Sequence, residues 1–429
     1  MPGTLDDLRV LDVTGPIGHY AGYLLADLGA DVVKVEPPEG DATRTWPPLL
    51  PDVPAPESGL QFILLNANKR GVALDLASTE GREAFLRLLA WADVLLESWS
   101  PEEARALGLD AAAIEAANPD LVHASVTGWG LSGPYAGWAY ADIVACAMSG
   151  VMNLAGFPDG PPEILPDHQG YHCASINLAA GVLTAVLHRD ATGEAQRVEV
   201  SMQESLLWSQ ETAMQQADIL GTDRQRTGGG GVAGFKMPGY GIYETADGFM
   251  FAMCTGNAGA GFPGLVELMT LLDGPGPLNE EPLATFVNTR MNTALLMQAM
   301  TDPDAAKDVL GTLERVQEIT AAFFERHPTQ LLYVEGQQRR VLLAPVNSPQ
   351  DISESEQLAA REWFRTIEDP GRGRTLRYPG PAWVLEATPA AIRRPAPLLG
   401  QHTAEVLREA GLDEDTAVRL AGARAGAAR

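Results

Sequence analysis

Leu11-Asp12-Val13, Gly15-Pro16-Ile17-Gly18 and Leu25-Ala26-Asp27-Leu28-Gly29-Ala30-Asp31-Val32-Val33-Lys34-Val35-Glu36 are the stretches whose reading decides the fold. A short apolar run meets a Gly/Pro turn. Tyr20 to Leu28 then has helical spacing and stops at Gly29, the residue type that ends helices in a left-handed turn. Asp31-Val32-Val33-Lys34-Val35 is β-branched, as a strand prefers. Strand, turn, helix and strand in this order specify a βαβ unit with parallel strands.

The alternation continues. Ser78 reads as an N-cap before the helical series Phe85, Leu88, Leu89. Asp93-Val94-Leu95-Leu96-Glu97 and Leu121-Val122-His123-Ala124-Ser125-Val126 read as strands. Ser175 to Arg189 is an Ala/Leu-rich helix, and Arg197-Val198-Glu199-Val200-Ser201 a further strand. The fold class is therefore α/β with a mostly parallel sheet. Ligands of such sheets sit beyond the carboxyl ends of the strands. That rim holds Thr14 to His19, Glu36 to Arg44, Ser98 to Pro101 and Thr127 to Tyr135. Composition changes after Arg226-Thr227-Gly228-Gly229-Gly230-Gly231, a hinge or loop. A hairpin follows at 241–251 with Ala246-Asp247-Gly248 at its turn, then helical sequence over 255–330. The expected domains are 1–220 (large, N-terminal part), 221–335 (small, α+β) and 336–429 (a return segment completing the large domain), with an amphipathic helix at 401–411.

The chain has 429 residues, with 30 Lys and Arg against 56 Asp and Glu, a net charge of −26. That charge disfavours nucleic acid and anionic membranes as partners. It also means that any polyanionic ligand must be met by locally gathered cations and backbone N–H groups. No uninterrupted apolar run has the length of a membrane span, and the acidic start carries no secretory pattern, so a cytoplasmic protein is expected. Cys146, Cys173 and Cys254 are odd in number and far apart, which fits reduced thiols. The seven histidines show no metal-ligand spacing, and no metal is expected. His168 and His172 are placed to share a helix face.

The opening stretch resembles the start of the family III CoA transferases. So do Gly40-Asp41-Ala42-Thr43-Arg44, Leu65-Asn66-Ala67-Asn68-Lys69-Arg70-Gly71, Ala117-Asn118-Pro119-Asp120 and Gly128-Trp129-Gly130 with Gly133-Pro134-Tyr135. His188-Arg189 with Thr192-Gly193, Ala344-Pro345-Val346-Asn347-Ser348 and Ala396-Pro397-Leu398-Leu399-Gly400-Gln401-His402 follow in the family's order. The resemblance implies a Rossmann-like large domain with an inserted smaller domain. It further implies two chains interlocked as a dimer, and a glycine loop at 228–231 that covers the active site. The implied chemistry is CoA transfer from an acyl-CoA to a carboxylic acid. CoA and acyl-CoA would be substrates, with no tightly bound cofactor. An aspartate attacks the thioester and forms a mixed anhydride; CoA thiolate returns, and the acceptor acid takes CoA. Backbone N–H groups of glycine turns would hold the oxyanion.

The chain departs from this pattern at decisive positions. The family's aspartate aligns with Tyr171, within Asp167-His168-Gln169-Gly170-Tyr171-His172-Cys173. Tyrosine cannot form the anhydride. Asp167 is a substitute only if the loop is re-spaced, and Glu163 is a weaker one. The histidine that racemases of the family carry before Asp142-Ile143 is Ala141. His168 or His172 remain as bases. The CoA rim is also altered. The family's E-N-F-x-P-G turn reads Glu97-Ser98-Trp99-Ser100-Pro101-Glu102, its following arginine aligns with Ala106 beside Arg105, and a basic position of some members falls near Ala139. The expected ligand contacts are Gly18, His19, Arg44, Lys69, Arg70, Ser98, Trp99 and Arg105. Trp99, Trp129, Trp138, Tyr140 and Tyr171 are candidates for an apolar acceptor wall.

Three functional readings follow. The first is the subunit without the nucleophile in a heteromeric CoA transferase, paired with an aspartate-bearing paralogue. The second is a self-sufficient homodimer that uses Asp167, or another acyl-CoA reaction through His168 or His172. The third is a non-catalytic acyl-CoA-binding scaffold.

Overall fold

The βαβ opening forms as the residue pattern dictates. In the computed structural model, residues 3–229, 236–255, 259–291, 294–295 and 309–422 are described. Among them, strands β1 (Arg9–Asp12), β2 (Asp31–Glu36), β3 (Arg70–Ala73), β4 (Val94–Glu97), β5 (Val122–Thr127) and β6 (Arg197–Ser201) make one sheet. All its neighbouring pairs are parallel, and the order is β3-β2-β1-β4-β5-β6. The chain runs from β1 outward to β3 and then returns to β4 on the other side of β1. Such a reversal leaves a crevice at the carboxyl ends of β1 and β4.

Helices α1 (His19–Asp27), α2 (Thr79–Trp91), α3 (Pro101–Leu107), α4 (Ala111–Ala117), α5 (Asp142–Met148) and α6 (Gln169–Thr192) belong to the same unit. Phe85 and Leu88 of α2, Ile114 of α4 and Val406 of the C-terminal helix Thr403–Glu409 pack against Leu11, Val33 and Leu95 of the sheet. α6 packs on α1, β5 and β6. By length and composition α6 is apolar enough to cross a membrane, although Ser175, Asn177 and Thr184 interrupt its apolar sequence. Ala174, Leu178, Val182 and Ala185 are buried, the placement of a core helix. The edge of β3 is covered by the return segment. His402 N–H donates to Gly71 O, His402 Nδ1 accepts from Gly71 N–H, and Thr403 Oγ1 accepts from Ala73 N–H. These bonds occupy groups that an open edge strand would offer to another chain.

The chain divides into two compact units. The first holds Met1–Val151, Leu165–Glu211 and Gln357–Arg429, and the second Met152–Ile164 and Thr212–Glu356. The divisions thus fall at 212 and 356 where the sequence suggested 221 and 335, and a piece near 160 joins the second unit. Arg226 explains that addition. Its guanidinium donates to the carbonyls of Phe157, Asn153 and Gly160, while Gly228 N–H donates to Gly156 O. Gly230 and Gly231 of the glycine run lie outside the described residues. The second unit also contains an antiparallel sheet of β7 (Tyr240–Glu244), β8 (Phe249–Met253) and β9 (Leu343–Pro345). Its core gathers Tyr243, Met250, Phe262, Leu265, Phe323 and Phe324.

Candidate active site at the carboxyl rim

The crevice between β1 and β4 is stitched by Gly15 N–H, which donates to Ser98 Oγ at 2.8 Å. Behind it lies a buried charged network. Asp12 Oδ1 accepts from the N–H and hydroxyl of Thr14, and Asp12 Oδ2 accepts from Lys69 Nζ at 2.8 Å. Lys69 also donates to His19 O and Asn66 Oδ1, both at 2.9 Å, so its three donors are used. Lys34 Nζ lies 3.7 Å from Asp12 Oδ1 and from Asp41 Oδ2, and donates to Thr14 O. His19 Nε2 is 3.1 Å from Asp41 Oδ2. Burial alone would raise the Asp12 carboxyl, but the charges of Lys34, Lys69 and His19 hold it well below the usual range. Burial lowers Lys69 to about 8, against the attraction of Asp12. Burial likewise pushes His19 down, opposed by Asp41.

Tyr171, which the sequence reading aligns with the family nucleophile, stands in the first turn of α6. Asp167 and His168 precede it, both at positive φ, 55° and 53°. Two consecutive non-glycine residues in this region store strain of about 1–2 kcal/mol each. Tyr171 N–H donates to Asp142 Oδ1 at 3.0 Å. The Tyr171 ring lies parallel to His168, centroids 5.5 Å apart with planes 5° from parallel. His168 in turn stacks on Trp46 at 5.8 Å. Burial pushes the Tyr171 hydroxyl up, away from ionisation. His172 points elsewhere, edge-on to Tyr20 at 5.1 Å, and burial lowers it toward the neutral form. The two rings thus have different stacking partners, although the charge of His168 adds to burial in lowering His172. The left-handed backbone at His168 takes it off the helix face that their spacing suggested. Asp167 is exposed, and among the described residues no hydrogen bond or ion pair engages its carboxylate. Glu163 belongs to the second unit.

The cations expected at the rim turn inward. Arg44 is buried and binds both oxygens of Glu36 at 2.6 and 2.8 Å, Glu57 at 2.8 Å and Pro397 O at 3.1 Å. Arg70 binds Asp31, Glu405 and Glu409, pinning the C-terminal helix to β3. With Lys69 they serve as internal counter-ions, a correction of the ligand role their sequence positions suggested. His19 is likewise enclosed, and Gly18 is held tight by Thr14, whose Cγ2 lies 2.5 Å from where a Cβ would stand. Trp99 turns to the core, edge-on to Phe85 at 6.2 Å. Arg105 is exposed on α3 and donates to Pro101 O. Glu103 completes a capping box with Ser100, so that acid caps α3. Of the candidate wall, Tyr140 Oη donates to Ser98 O at 3.4 Å, Trp138 lies against Tyr135 at 4.2 Å with the rings tilted by 33°, and among the described residues the buried Trp129 Nε1 has no hydrogen-bond partner. Cys146 is buried and its thiol, pushed up to about 11 by burial and Asp142, donates to Asp142 Oδ2. Among the described residues no group of His, Cys, Asp and Glu gathers as a metal set. Two partners at this turn escaped the sequence reading, Trp46 against His168 and Asp142 as the cap at Tyr171 N–H. No spacing rule links residue 46 to residue 168.

The comparisons with known proteins agree with this scaffold. The profile of CoA-transferase family III matches residues 5–403. The chain is 32% identical over 408 residues to the succinyl-CoA:(R)-benzylsuccinate CoA-transferase subunit BbsE of Thauera aromatica, covering 94% of this chain and 93% of that protein. It is 33% identical to the succinyl-CoA:mesaconate CoA-transferase of Haloarcula hispanica, covering 96% and 98%. It is 31% identical to the formyl-CoA:oxalate CoA-transferase of Streptomyces coelicolor, covering 96% of each. Among solved structures, a CaiB/BaiF family protein from Brucella suis superposes with a TM-score of 0.81 at 25% identity, covering 96% of this chain and all of that one. A family profile over nearly the whole length, relatives that share both ends, and a parallel sheet whose crevice opens at β1 and β4 lead to one assignment: this chain is an enzyme of CoA-transferase family III.

Proposed function

We propose that this chain is the subunit without the nucleophile in a heteromeric CoA transferase, completing a site whose aspartate comes from a paralogue. The observation that carries this reading is the engagement of Tyr171. A neutral phenol stands where the reaction needs a carboxylate. Its ring is stacked on His168 and its N–H is held by Asp142. The inward commitment of Arg44, Lys69 and Arg70 supports it further, because a CoA polyphosphate would find few free cations here. The relative from Thauera aromatica is itself named as a subunit. In the pair, the partner's aspartate takes the acyl group and then CoA, and this chain shapes the pocket of the acceptor acid. Trp46, His168 and Tyr171 would supply a planar aromatic wall that favours an acid with an apolar, ring-bearing substituent. Pairing would follow the interlocked arrangement of the family.

Purified alone and co-purified with an aspartate-bearing paralogue, the chain is incubated with acyl-CoA donors, acceptor acids and hydroxylamine, and intact masses are read. A hydroxamate on the paralogue and none on this chain is the expected result. Turnover by this chain alone would overturn the reading.

One observation favours the self-sufficient alternative. Asp167 is exposed and its carboxylate is unengaged, four residues before Tyr171. In that case the hydroxamate maps to Asp167, and Asp167→Ala abolishes turnover by the chain alone.

A further inference from the structure

At the end of the sheet opposite the rim, a cleft of about 160 Å³ opens between α4, the loop before β5 and the start of β6. Ile114 and Leu121 form an apolar wall, and Glu115, His123, Gln196 and Arg197 present polar groups to it. His123 is 6% exposed, and its Nε2 lies 3.4 Å from both Glu97 Oε1 and Ser125 Oγ. Glu97 is held in turn, its Oε2 accepting from Trp99 N–H at 2.6 Å. The imidazole is thus fixed by buried neighbours on one edge. Its Nδ1 has no partner among the described residues, and the ring lines the cleft. Glu115 and Arg197 carry opposite charges on this one cleft, yet among the described residues neither forms an ion pair or hydrogen bond through its side chain.

We infer that this cleft binds a small carboxylate that also carries a hydrogen-bond donor. Arg197 and Gln196 offer N–H donors to the carboxylate; with Nε2–H turned to Glu97, the neutral His123 ring presents Nδ1 as an acceptor for the ligand's own donor. Glu115 accepts from the ligand's hydroxyl or ammonium group, and a plain anion would meet it with repulsion. Ile114 and Leu121 cover a short aliphatic link. The volume suits such a molecule, since cavities of about 150 Å³ hold benzene. The cleft lies at the end of the sheet away from the transferase rim.

Saturation-transfer NMR on the whole chain, without CoA or partner, tests it with 4-aminobutyrate, 3-hydroxybutyrate and butyrate. The first two bind and butyrate binds at least about fivefold more weakly, the discrimination one added hydrogen bond gives. Arg197→Gln weakens both by about tenfold, as loss of a charge-assisted contact does. Glu115→Gln weakens 4-aminobutyrate and strengthens butyrate, because the repulsion between two carboxylates is removed. Absence of transfer from all three probes, equal binding of the three, or an Arg197→Gln variant that binds as wild type would each overturn the inference. Because CoA transfer is not part of the readout, these failures are distinct from failure of the proposed function.

Discussion

Tyr171 and Asp142 are joined by a 3.0 Å bond from backbone N–H to carboxylate, so α5 supplies the anion that caps the first turn of α6. Asp142 is 8% exposed, and its other oxygen accepts from the Cys146 thiol. A carboxylate at a helix N-terminus satisfies a free N–H and meets the positive end of the dipole. Asp142→Ala is expected to lower stability by about 1–2 kcal/mol in chemical denaturation, and Asp142→Asn by less, because the amide oxygen still accepts. An unchanged melting curve for the alanine variant would show that the cap contributes nothing.

The ring of Tyr171 gives a separate prediction. Its contacts are with His168, and through it with Trp46. Tyr171→Phe keeps the stack and is expected to leave the kcat of CoA transfer near wild type. Tyr171→Ala removes a stacking contact of about 0.5–1.5 kcal/mol and should raise KM for the acceptor acid, leaving KM for acyl-CoA unchanged. Steady-state kinetics with each substrate varied in turn decides it. A collapse of kcat in Tyr171→Phe would make the hydroxyl a participant in the chemistry.

Lys69 separates a structural cation from a ligand contact. Its ammonium is enclosed with Asp12, Asn66 and His19 O. Lys69→Met leaves Asp12 short of a buried counter-ion, and breaking such a pair costs about 3–5 kcal/mol. The expected outcome is a large fall in Tm. A ligand contact would instead weaken binding of CoA at unchanged Tm, and that result would restore the role suggested by its sequence position.

The sheet was legible because its signals are local. The β-branched run at 31–35, the stop at Gly29 and the cap at Ser78 each act within a few residues of themselves. β1, β2, β4, β5 and β6 lie within a residue or two of their expected bounds. The hairpin Arg365–Asp369 with Arg374–Tyr378 was not anticipated, since polar residues fill both strands and no alternation stands out. The site was legible only in part. Tyr171 could be found by counting along the family pattern. Whether Arg44 faces a ligand or Glu36 depends on acids that the fold brings from elsewhere, such as Glu57. Charge type is written in the sequence, whereas the direction in which it is neutralised emerges only from packing.

The charge of −26 sets the response to salt. Lys34 and Lys69 are buried with carboxylates, so they do little to offset the outer acids. Self-repulsion of like surface charges opposes the compact state and is screened over about 30 Å at 0.01 M salt but only about 3 Å at 1 M. Thermal melts in rising NaCl should therefore show an increasing Tm across this range. A falling Tm would mean that surface ion pairs such as Arg419–Glu80 outweigh the net repulsion.

Asp27 carries a pH dependence of definite sign. Burial raises its carboxyl to about 6, and Tyr23, Asn68 and Arg393 oppose this only in part. Asn68 Nδ2 donates to Asp27 Oδ1 at 2.7 Å, while among the described residues the geometry gives the buried Oδ2 no hydrogen-bond partner. The same Asn68 holds the return segment, donating to Ala391 O and accepting from Arg393 N–H. A carboxyl whose folded pKa lies above its unfolded value binds its proton more tightly in the native state. Its contribution is therefore most favourable below about pH 4 and is lost as pH rises to about 6. The full effect is up to about 3 kcal/mol. Asp27→Asn abolishes this titration and keeps an oxygen for Asn68. The variant is expected to be more stable than wild type at pH 7, with the difference shrinking toward pH 4. Urea denaturation of both proteins across this range measures it, and a variant less stable than wild type at pH 7 would show that the ionised carboxylate, not the buried acid, holds the return segment.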